Sequence, residues 1–143
     1  MVQRYLNKIS GPLLDRIDLH VEVTPVAFSE LSAEKTSEPS TNIRDRVIKA
    51  REIQSLRFEG HEGIYSNAQM SSKLLKEICV INNVGQNLLK TAMDKLNLSA
   101  RAYDRILKVS RTIADLAASE DIRPEHLAEA IQYRSLDREG WGG

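Results

Sequence analysis

From residue 43 onward, apolar side chains recur every three or four positions, the spacing that lines up one face of an α-helix. Ile43, Val47, Ala50 and Ile53 predict a helix running to about Phe58, with Asn42 and Asp45 as its capping pair. Gly60-His-Glu-Gly63 ends it, and a polar loop leads to about Gln69. Ser71 or Ser72 is placed to cap a short helix through Val80. Asn83, with Gln86 three residues on, caps another that carries Leu88, Leu89, Ala92 and Leu96. Ser99 opens the strongest helix, on which Ala102, Ile106, Val109, Ile113 and Leu116 form one stripe. Pro124 suits the first turn of the last helix, whose Leu127, Ala130 and Ile131 face inward. The pattern predicts a mainly α fold, a bundle of about five helices over residues 43–135.

The chain before residue 43 has a different rhythm. Leu19, Val21 and Val23 alternate with Asp18, His20, Glu22 and Thr24, which predicts a strand with one buried face. A lone strand is not stable, and the sequence contains no second convincing one. Residues 1–25 therefore read as the C-terminal remnant of an upstream domain. Residues 26–42, rich in Ser, Thr and Glu, read as a linker, and residues 136–143, ending Gly-Trp-Gly-Gly, as a flexible tail.

Composition narrows the chemistry. The 143 residues are 41% hydrophobic and 28% charged, and no apolar run approaches the roughly 18 residues of a membrane span. The first residues lack an apolar signal region, so a cytoplasmic location is expected and no membrane partner is. Twenty basic and twenty acidic side chains balance, which lends no support to a dedicated nucleic-acid domain. The lone Cys79 excludes an internal disulfide and reads as a small buried hydrophobe. His20, His61 and His126 are far apart, with no ligand spacing, so no metal site is expected. There is no glycine-rich phosphate loop and no Ser/His/Asp arrangement. On its own the chain lacks the parts needed to hold and hydrolyse a nucleotide.

Two arginines stand out. Arg16 follows a Gly11-Pro12 turn just ahead of the predicted strand, where its planar fork could meet a phosphate. The plain alternative is a surface pair with Asp15 or Asp18. Arg101 falls in the first turn of the strongest helix, where the macrodipole disfavours a cation by roughly 0.3–1 kcal/mol. A bound anion would explain it; so would pairing with Asp104. Arg101, Arg105 and Lys108 also share a face, with Arg111 nearby, either a solvated surface or a phosphate-contacting one.

Arg4-Tyr5-Leu-Asn-Lys-Ile-Ser-Gly-Pro-Leu-Leu-Asp-Arg16-Ile-Asp-Leu-His-Val-Glu-Val23 resembles the end of the AAA+ core in magnesium-chelatase-like ATPases of the ComM/YifB type. Leu98-Ser-Ala-Arg101 through Leu116 resembles the sensor-2 helix of that family, and His126-Leu-Ala-Glu-Ala-Ile-Gln-Tyr-Arg134 its closing helix. The resemblance is looser over 26–98. It implies that the bundle is an AAA+ lid domain and that Arg16 is an arginine finger, reaching in trans to the γ-phosphate held by a neighbouring subunit. It implies that Arg101 is the sensor-2 arginine, contacting the ATP γ-phosphate. It further implies a parent that hydrolyses ATP with Mg²⁺ as a homo-oligomeric ring, with DNA remodelling or branch migration as its work. The alternatives are a nucleic-acid-binding helical bundle and a non-enzymatic interaction module using the apolar face of Leu19, Val21 and Val23.

Overall fold

The computed structural model describes residues 10–32 and 37–134. The expected tail at 136–143 and the opening residues 1–9 of the upstream segment lie outside the described residues. The chain order is α1 (Gly11–Leu14), α2 (Phe28–Leu31), α3 (Ser40–Arg57), a 3-10 turn (Asn67–Gln69), α4 (Ser72–Ile78), α5 (Asn83–Leu96), α6 (Ala100–Leu116) and α7 (Pro124–Gln132). The five helices α3 to α7 make the bundle. Helix α6 is its axis, packed against α3, α4, α7 and the 3-10 turn, while α5 packs on α7.

Local chemistry explains most of the helix starts. The Ser71 hydroxyl accepts the Leu74 N–H at 3.3 Å, Asn82 Oδ1 accepts the Gly85 N–H at 2.9 Å, and the Ser99 hydroxyl accepts the Ala102 N–H at 3.1 Å. Each such cap is worth about 1 kcal/mol. Pro124 stands in the first turn of α7, and His126 Nδ1 accepts the Arg123 N–H at 3.0 Å. Helix α5 ends on Asn97 in the left-handed region, at φ 49°. The core gathers Leu75, Leu89, Ile106, Leu107 and Leu127 from four helices. Gly85 lets α5 approach α7 closely, because a Cβ there would lie 2.8 Å from Leu127 Cδ1.

Several boundaries differ from the pattern. Helix α3 begins at Ser40, ahead of the expected Asn42 cap, and has no side-chain cap at all. The cap of α5 is Asn82 rather than Asn83. On α3, Ile43 and Val47 are exposed, and burial starts only at Ala50 and Gln54, because nothing described packs against the first half of that helix. On α6 the buried face is rotated from the apolar stripe. Ala102, Ile106, Leu107, Ser110, Arg111, Ala114 and Asp115 are buried, while Leu116 is 43% exposed. The rotation follows from a polar network, described below, that draws Arg111 and Asp115 inward.

The expected strand over 19–24 is corrected: no strand forms among the described residues. The alternation is inverted as well. Leu19, Val21 and Val23 face outward at 46%, 68% and 87% exposure, and His20 is buried at 5%. The His20 N–H is spent on the Tyr133 carbonyl at the end of α7, 2.8 Å away, rather than on a strand partner. The only isolated bridge among the described residues is the parallel one between Ile81 and Ile122. Among the described residues, no helix is long and apolar enough to cross a membrane.

Cys79 is buried, as expected, and burial pushes its thiol up to about 11. Only the thiolate is a good nucleophile, so Cys79 should resist iodoacetamide at pH 8 in the folded protein and react fully in denaturant. Rapid alkylation of the native protein, followed by mass spectrometry, would show that the site opens easily.

Candidate functional site

Arg16 sits in the turn that closes α1, where its N–H bonds the Leu13 carbonyl at 3.1 Å. Its side chain is exposed and makes no ion pair with any described residue. Arg101 lies one residue past the start of α6, is also exposed, and is equally without a carboxylate. The simple pairings that the sequence allowed are absent because each acid is engaged elsewhere. Asp15 Oδ1 accepts the Ser99 hydroxyl at 2.6 Å and lies 3.8 Å from the Arg134 guanidinium. Asp18 pairs with Arg105. Asp104 Oδ2 accepts the Ser72 hydroxyl at 3.0 Å.

The same contacts bring the two arginine segments together. Asp15 is next to Arg16 in the chain, and Ser99 caps the helix that carries Arg101, so the Ser99–Asp15 bond ties the α1 turn to the mouth of α6. A second tie forms at the far end of the segment. The Arg134 guanidinium is 1% exposed and donates to the Ile17 carbonyl, and the His20 N–H donates to Tyr133. His20 Nε2 donates to the Leu14 carbonyl at 3.2 Å, and its buried Nδ1 has no hydrogen-bond partner among the described residues. Residues 14–20 are thus held to both α6 and the end of α7.

The basic face of α6 is mostly committed to internal partners. Arg105 holds Asp18, and Lys108 donates to the Ala68 carbonyl at 3.0 Å. Arg111 is 4% exposed, bonded to the Ser119 and Glu120 carbonyls at 2.7 Å each and to Asp115. A nucleic-acid phosphate would have to compete with these bonds. Of the four cations on that face, Arg101 alone has no described partner.

Behind this face lies the main buried polar cluster. Asp115 accepts from Arg57 on both oxygens, at 2.5 and 2.7 Å, from Asn67 at 2.8 Å and from Arg111 at 3.1 Å. Asn67 is itself held by Gln54 through its backbone N–H and by Thr112. Burial alone would raise the Asp115 carboxyl. The hydrogen bonds from Arg57 and Asn67 and the charges of Arg57 and Arg111 outweigh burial and hold it below the ordinary carboxylate value. Arg57, Asn67 and Arg111 all donate to this carboxylate, and Arg111 spends its remaining donors on the Ser119 and Glu120 carbonyls, so the cluster braces α3, the 3-10 turn and α6.

Sequence reasoning singled out Arg16 and Arg101 but missed Asp15, Ser99 and Arg134 as the residues that relate them. It also missed Arg57 and Asp115. The i,i+4 spacing of Arg111 and Asp115 was the one available signal. No group of three or more His, Cys, Asp or Glu stands together among the described residues, so these residues do not fit a Mg²⁺ site.

Comparison with known proteins bears on both parts of the chain. The family model for the C-terminal region of magnesium chelatase subunit ChlI matches residues 37–134, and the model for magnesium chelatase subunit ChlI matches residues 1–31. The competence protein ComM of Haemophilus influenzae is 44% identical over 138 residues, 96% of this chain. The uncharacterized proteins YifB of Salmonella typhimurium and of Escherichia coli are each 39% identical, over 94% of the chain. The chain spans 26% of the length of these curated relatives.

Proposed function

Because this chain belongs to the magnesium-chelatase-like family of the ComM/YifB type, we propose that it is the lid-bearing part of an ATPase that works as a ring of identical subunits. In this reading Arg101 is the sensor-2 arginine on the γ-phosphate of ATP, and Arg16 is a finger reaching the γ-phosphate held by an adjoining subunit. ATP hydrolysis with Mg²⁺ belongs to the whole protein. Metal chemistry is assigned to residues outside this chain, and no step here runs through it. When bound, ATP supplies the triphosphate whose bond to the leaving diphosphate breaks, the electron pair passing to the diphosphate oxygen while charge stays spread over the three γ-oxygens. The residues of this chain then bind and orient those oxygens.

The observation that carries the reading is the pair of guanidinium groups that bond to no described residue, while Asp15, Asp18 and Asp104 near them each have another donor. Arg101 stands where a helix dipole is positive, so the folded chain gains nothing from it unless an anion is present. The amides of the first α6 turn and a planar fork beside them suit a phosphate. DNA as the material remodelled is part of the proposal.

Arg101→Ala in the full-length protein tests the assignment by ATP titration. A hydrogen bond to a charged group is worth about 1.5–3 kcal/mol, so the dissociation constant should rise about tenfold to a hundredfold. An unchanged constant would remove Arg101 from the nucleotide site.

A further inference from the structure

We propose that Asp15 is a positioning residue, and that its bond to Ser99 presents Arg16 and Arg101 as one rigid pair. The proposal rests on the nucleotide-contacting reading of those two arginines and adds the device that sets their relative placement.

The geometry is specific. Ser99 uses its single hydroxyl twice: the oxygen accepts the Ala102 N–H at 3.1 Å and the proton goes to Asp15 Oδ1 at 2.6 Å. One side chain therefore caps the helix of Arg101 and anchors the residue next to Arg16. The acceptor is a carboxylate that also has the Arg134 guanidinium 3.8 Å away. A hydroxyl bonded to a carboxylate makes a charge-assisted bond, the stronger kind. The rest of the segment cannot swing away. Leu14 and His20 are buried, the His20 N–H is bonded to Tyr133, and the Arg134 guanidinium grips the Ile17 carbonyl from beneath. Asp18 adds a second attachment to α6 through Arg105.

Asp15 is free to serve this role because it does not pair with Arg16. A carboxylate adjacent in sequence to a phosphate-seeking arginine would ordinarily compete for it. Here Ser99 and Arg134 hold the carboxylate, and the guanidinium is left for a ligand. Positioning to well under an ångström matters for such a group, since a shift of about 1 Å can cost a hundredfold in rate.

The test separates the latch from the cap. Aspartate caps a helix as well as serine does, so Ser99→Asp keeps the cap while replacing the donor facing Asp15 with a like charge. Adding Asp15→Asn to that variant restores a bond with donor and acceptor exchanged, from the introduced side-chain amide to the introduced carboxylate. Two readouts are taken in the full-length protein: ATP turnover, and the distance between spin labels on cysteines replacing the exposed Leu13 and Tyr103. Ser99→Asp should lower turnover about tenfold to a hundredfold and broaden the label distance. The double variant should recover most of both.

Native turnover in Ser99→Asp would overturn the proposal. So would a loss that Asp15→Asn fails to repair, since it would then come from the cap or the added charge. If Arg16→Ala and Arg101→Ala both left turnover intact, the nucleotide reading would fall instead. The label distances would still report whether Ser99 and Asp15 join the two segments.

Discussion

Arg16→Ala in the full-length protein is expected to lower ATP turnover by about 10³- to 10⁵-fold, the range in which arginine fingers act, with ATP binding changed far less. The asymmetry has a physical origin. A guanidinium that meets charge building up on the transferred phosphoryl group lowers the barrier more than it stabilises bound ATP. Nothing in the fold would mask the effect. The Arg16 side chain is exposed and bonds to no described residue, so its removal leaves no buried donor or acceptor behind. Circular dichroism and the melting temperature should be unchanged, and a single-turnover assay should carry the whole loss. Arg16→Lys would recover little, because a compact ammonium cannot reproduce a planar fork. Equal turnover in the native and Arg16→Ala proteins would exclude the finger role.

The second large effect is on stability. Asp115→Ala should destabilise the bundle by about 3–5 kcal/mol, a large part of the 5–15 kcal/mol that holds a typical domain together. The carboxylate is fully buried and is the shared acceptor for Arg57, Arg111 and Asn67. Its loss removes the counter-ion that Arg57 and Arg111 share and one acceptor of the Asn67 amide. Urea denaturation would give the value directly, and a midpoint within error of the native one would mean that water repairs the gap. Asp115→Asn should be milder, because one oxygen still accepts from Arg57.

The acid limb of the stability curve follows from the same carboxyl. Its folded pKa lies below the ordinary 3.8, so its contribution is present above that value and is lost as pH falls through the folded one. The native protein should therefore weaken below about pH 4 more steeply than Asp115→Asn.

The helix starts were legible because they are local events. A Ser or Asn oxygen three residues ahead of an N–H, or a proline in a first turn, decides where a helix begins without help from the rest of the chain. Ser71, Ser99 and Pro124 all take the places that their spacing implies. The α3 start misleads for the same reason. Asn42 and Asp45 form a plausible local signal, yet the helix reaches back to Ser40 with no side-chain cap.

Reading the faces was harder. The α6 stripe followed apolar residues only, and the structure turns the helix so that Arg111 and Asp115 are inside and Leu116 is out. A charged residue can be buried when its partner is supplied from elsewhere, and periodicity carries no information about that partner. The alternation at 19–24 misled in the opposite sense. It is a real two-residue rhythm, but with no facing sheet among the described residues, the apolar set stays exposed and His20 takes the inward place.

By itself the sequence determined a mainly helical bundle, the capped starts of α4, α6 and α7, a buried thiol, and two arginines that local rules could not place comfortably. Only the tertiary structure decided what those arginines lack and what surrounds them. Asp15 meets Ser99 across 84 residues, and Arg57 meets Asp115 across 58. Such contacts form when helices close on one another, so the burial and charge partners they fix are properties of the packed chain and of no short stretch within it.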